Sequence, residues 1–88
     1  IANLPAGKQP LRLAMQPDQR LLWVGNNASD AQSSGVTVID VPSRKTLKFF
    51  ATGAGHHEIA FSADSRYAFV SNRDSGTLSV IDASEMRL

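Results

Sequence analysis

Hydrophobic positions in this chain alternate with polar or small ones rather than recurring every three or four residues. Leu11, Leu13 and Met15 are separated by Arg12 and Ala14, and His57, Ile59 and Phe61 by Glu58 and Ala60, the two-residue period of strands. Each run leads into a polar turn, QPDQR (Gln16 to Arg20) or SADSR (Ser62 to Arg66), in which Asp18 or Asp64 can accept a bond from the backbone ahead of it. Aromatic and β-branched runs follow, LLWVGN (Leu21 to Asn26) and YAFVSN (Tyr67 to Asn72), and after them VTVID and LSVID. TLKFFATG, Thr46 to Gly53, reads as a further strand, and nothing resembles a capped amphipathic helix. The pattern predicts an all-β chain.

The same order occurs twice. LAMQPDQRLLWVGNN (Leu13 to Asn27) lies over IAFSADSRYAFVSNR (Ile59 to Arg73) at a shift of 46, with Ala, Asp, Arg, Val and Asn coinciding. GVTVID (Gly35 to Asp40) lies over TLSVID (Thr77 to Asp82) at a shift of 42, so four residues are inserted in the first copy, within Asn26 to Gly35. That insertion is a polar Ser/Asn/Gly loop between two strands. A period of 42 to 46 residues points to a propeller or array. Four strands per unit is the content of a propeller blade.

WVGN and FVSN (Trp23 to Asn26, Phe69 to Asn72), each preceded by an Asp-x-Arg turn and followed by a Val-Ile-Asp strand, resemble the β-propeller repeats named for their Tyr-Val-Thr-Asn signature. Gln19 and Ser65 stand where that family usually has a turn glycine. The resemblance implies blades of a scaffold, commonly in exported bacterial proteins, and hence a periplasmic or secreted setting. With strand slots lettered A to D outward from the propeller axis, the chain 1–88 runs D-A-B-C-D-A-B-C. Residues 1–6 form the outer strand of a preceding or partner blade, 7–52 the first repeat and 53–88 the second. Such a chain is an incomplete ring, or a ring closed by further copies, since repeat arrays need about three units for stability. Blade faces bearing Trp23, Val24, Phe69 and Val70 are expected to lack neighbours. The expected partners are therefore other blades, from the same longer protein or from further copies.

Composition narrows this little. At 88 residues the chain is one small unit, and chains of this size bury only about 60% of their unfolded surface. Its net charge of +1 is scattered, with Arg44, Lys45 and Lys48 as the densest basic run, too thin for nucleic acid or an anionic membrane. Cysteine is absent, which excludes disulfides and thiolate chemistry. No apolar run approaches the roughly 18 residues of a membrane span, and IANLPAGKQP lacks the marks of a signal peptide.

Candidate chemistry lies where the repeat fails to recur. His56 and His57 occupy the register of Pro10 and Leu11, so the repeat does not require them. With Glu58 they open an innermost strand near the mouth of a propeller channel. In the related haem-carrying propeller of cytochrome-type nitrite reductases a strand-borne histidine binds iron, which makes His57 a candidate metal or haem ligand. Neighbouring histidines on one strand point to opposite faces, however, and do not readily grip one metal together. The plainer reading is a polar cap or packed imidazole, with no cofactor. Asp18, Arg20, Asp64 and Arg66 recur in register and read as turn residues, not acid and base. The inserted loop, with Ser29, Asp30 and Gln32, is a candidate partner-binding surface as well as a tolerated insertion. The function expected is a non-catalytic binding scaffold; its rival is a segment of a redox or metal-dependent propeller enzyme.

Overall fold

A computed structural model of the chain describes residues 3–28, 30, 32–55 and 57–88. Among the described residues seven strands alternate with turns: β1 (Pro10–Met15), β2 (Leu21–Asn26), β3 (Gly35–Asp40), β4 (Lys45–Ala51), β5 (His57–Phe61), β6 (Tyr67–Asn72) and β7 (Thr77–Asp82). They form two antiparallel meanders, a four-stranded sheet in the order β1-β2-β3-β4 and a three-stranded sheet in the order β5-β6-β7. The protein is all-β, as the alternation predicts. Past β7, an isolated bridge between Asp82 and Arg87 mirrors the Asp40–Lys45 pair that starts β4. Asn3 and Leu4, assigned from sequence to an outer strand, pair with no described strand.

The core lies between the sheets. Trp23, Val36, Val38 and Phe50 of the first sheet meet Ala68, Val70 and Ile81 of the second, with Ile59 and Phe61 packed beside them. Trp23 stacks on Phe50 at 6.2 Å and meets the edge of Phe61 at 5.6 Å. Such aromatic pairs add about 0.5–1.5 kcal/mol beyond the area they bury. Its indole N–H, now out of water, donates to Gln16 Oε1 at 3.0 Å. The second repeat has Phe69 and Ser62 at these two places, a ring with no N–H and no long acceptor. Trp23 and Val70 thus are not left facing solvent, as the sequence suggests. They belong to opposed faces of the two sheets, and Val24 is buried as well.

The repeat extends to buried polar contacts that no alternation pattern shows. In the first sheet Asn26 Nδ2 donates to Thr37 Oγ1 at 2.7 Å, and that hydroxyl donates to Ala6 O at 2.8 Å. In the second, Asn72 Nδ2 donates to Ser79 Oγ at 3.0 Å, and Ser79 Oγ donates to Thr52 O at 3.2 Å. Each relay ties the strap of chain that leads into β1 or β5 onto its sheet. The straps cross close above the asparagines, where a Cβ on Gly7 would lie 3.0 Å from Asn26 Nδ2 and one on Gly53 3.2 Å from Asn72. Their φ angles, 93° and 142°, also favour glycine. An amide at the end of the second strand is therefore a structural pin, since a buried amide must find partners.

Candidate functional site

The β1–β2 and β5–β6 turns lie at one end of the sheets, while the straps, the inserted loop and the first residue of β5 lie at the other. Both turns close alike. Arg20 N donates to Asp18 Oδ1 at 3.0 Å and Arg66 N to Asp64 Oδ1 at 3.0 Å. Gln19 and Ser65 adopt φ of 62° and 63°, the left-handed conformation that the turn requires. The turns also touch: Asp18 N donates to Ser65 Oγ at 3.1 Å.

Between them opens a cleft of about 720 Å³, lined among others by Asp18, Arg20, Asp40, Asp64, Arg66 and Ser84. Sequence reasoning sets these residues aside as turn builders, and so they are. The tertiary packing nevertheless gathers both copies on one rim, and their recurrence at a fixed register was the available signal. Asp64 is held below the ordinary carboxylate range, first by the Ser62 hydroxyl and then by the Arg66 amide. Asp40 is lowered by the hydroxyl of Ser43, and Asp82 by that of Ser84. General acid–base chemistry is best served by a group whose pKa lies near the working pH. Carboxylates lowered by turn hydroxyls remain ionised at neutral pH. The cleft can therefore orient a polar partner by charge and hydrogen bonding.

At the opposite end the residues singled out from sequence are dispersed. His56 and Ser29 lie outside the described residues. His57 is described by its backbone alone, opposite Asn72 in the β5–β6 pairing. Glu58 opposes Ser71, and its Oε1 lies 3.1 Å from Arg12 Nε in an exposed ion pair between β5 and β1. A pair this wet contributes about 0.2–1 kcal/mol. Asp30 closes its own turn by accepting from Ser33 N at 2.8 Å, and hydrogen bonding from Ser33 lowers its pKa. Gln32 sits with Gly7, Lys8, Ser33 and Phe49 around a shallow recess of about 230 Å³. Among the described residues no group of three or more His, Cys, Asp or Glu side chains could hold a metal ion. No protein-family model matches the chain, and no curated protein sequence is detectably similar to it.

Proposed function

We propose that this chain is a segment of a β-propeller-type scaffold that binds a partner and performs no chemistry of its own. The observation that supports this reading is the use to which its recurring polar groups are put. Asn26 and Asn72 pin the straps, and Asp18 and Asp64 close the hairpin turns. Recurrence in matched structural roles accounts for these groups without any catalytic demand, which favours a scaffold over an enzyme. The cleft between the turns and the inserted loop at the other end are the two surfaces through which such a scaffold engages a partner. The exported setting rests on the resemblance to the Tyr-Val-Thr-Asn repeats alone.

The test addresses the redox alternative directly. Purified protein is incubated with haem, and separately with zinc, copper and iron salts, then desalted and examined by absorption spectroscopy and metal analysis beside His57→Ala. Featureless spectra and substoichiometric metal in both proteins are the expected result. Stoichiometric haem or metal in the parent, lost in His57→Ala, would overturn the non-catalytic reading.

A further inference from the structure

The two outward faces of the molecule are register copies of the two faces that already meet in its core. Val36 and Val38 are 0% exposed between the sheets, whereas Leu78 and Val80, 42 positions on, are 63% and 47% exposed on the outside of the second sheet. Phe69, only partly buried, corresponds to Trp23. Conversely Ile59 and Phe61 pack against the core, while Leu13 and Met15, 46 positions earlier, are 68% and 44% exposed on the outside of the first sheet. One outer face thus has the pattern of the inner face of the first sheet, and the other that of the inner face of the second.

We infer that a second copy of this chain packs its first sheet onto the outer face of the second sheet, head to tail, repeating the internal contact. Charge selects this arrangement. Arg12 and Glu58 occupy equivalent positions, 46 apart, and pair across the internal junction at 3.1 Å. In the head-to-tail contact Glu58 takes the place of Arg12, and the Arg12 of the next copy takes the place of Glu58, so opposite charges meet again. A face-to-same-face dimer juxtaposes equivalent inner strands and with them like charges. Leu4 stands 46 positions before Phe50, which pairs with Val36, so the incoming Leu4 falls opposite Leu78 on the free edge of β7. Such a contact is heterologous and ends only when the ring closes. With propellers of four to eight blades and two sheets per chain, closure takes about two to four copies. The inference rests on the repeat register and not on the binding role proposed above, so either can fail alone.

Light scattering on the intact chain at several concentrations is the first part of the test, with a discrete mass of two to four chains expected at the highest concentration. The second part uses Leu13→Asp and Leu78→Asp, each confirmed by circular dichroism to keep its sheets. Each spoils one face and spares the other, so each alone is monomeric. Mixed, they form a one-to-one dimer through the two intact faces and grow no further. A monomeric parent at every concentration would overturn the inference and assign these faces to a different protein or to further repeats of a longer polypeptide. A parent dimer whose two variants do not complement one another would overturn it equally, by showing a face-to-same-face contact.

Discussion

Ala6→Thr should stabilise this protein, because it supplies a hydrogen bond that one repeat has and the other lacks. In the second sheet Asn72 uses its whole amide: Nδ2 donates to Thr77 and Ser79, and Oδ1 accepts from Thr52 Oγ1 at 2.9 Å. In the first, Asn26 is fully buried and its Oδ1 has no partner among the described residues. The position that corresponds to Thr52, 46 residues earlier, is Ala6, which has nothing to donate. An unmet buried acceptor costs about 1–3 kcal/mol, and a typical new hydrogen bond returns about 1 kcal/mol net. Part of that gain is offset by fixing the new side chain, so a stabilisation of about 1 kcal/mol is expected. In a domain of this size it corresponds to about 4–8 °C in Tm.

The assay is urea denaturation of the parent, Ala6→Thr and Ala6→Val at one protein concentration, since association shifts apparent stability. Valine has the shape of threonine without the hydroxyl and separates packing from hydrogen bonding. The same substitutions in an Asn26→Ala background complete the cycle, and a coupling near 1 kcal/mol is expected between positions 6 and 26. If valine stabilised as much as threonine, or if the gain survived removal of Asn26, the argument from the missing donor would be wrong.

Two further outcomes follow from the turns. Gln19→Gly relieves a left-handed residue costing about 1–2 kcal/mol, against about 0.4–1 kcal/mol of added unfolded-chain freedom, so the urea midpoint should rise by the equivalent of about 0.5–1 kcal/mol; a fall would contradict the turn assignment. Asp40, Asp64 and Asp82 have lowered folded pKa values, so their stabilisation is complete above the unfolded value of about 3.9 and is lost as pH drops through the folded values. The urea midpoint should hold from pH 7 to 5 and decline below pH 4, less steeply in Asp64→Asn. A midpoint unchanged down to pH 2 would refute the role of these carboxylates.

The alternation of Leu11, Leu13 and Met15, the Asp-x-Arg turns and the twofold recurrence at 46 and 42 residues were legible in the sequence, because strand period and turn chemistry are local properties. They suffice for the seven strands from Pro10 to Asp82 and for the site of the insertion, though the same reading also placed an outer strand at residues 1–6, where Asn3 and Leu4 pair with no described strand. Sequence also marks Asn26 and Asn72 as recurrent, yet not as buried pins, since the straps they hold, reached at Ala6 O through Thr37 and at Thr52 directly and through Ser79, lie 20 residues upstream. Only the tertiary structure decided which of two equivalent apolar sets is buried. Val36 and Leu78 read alike along the chain, and one is dry and the other wet because the second sheet covers the face that bears Val36, while among the described residues nothing covers the face that bears Leu78. The same holds for chemistry. Glu58 stands out beside two histidines in sequence, and in space it is drawn to Arg12 on β1 of the other sheet. Packing brings together residues 46 apart, and no local pattern encodes which of them will meet.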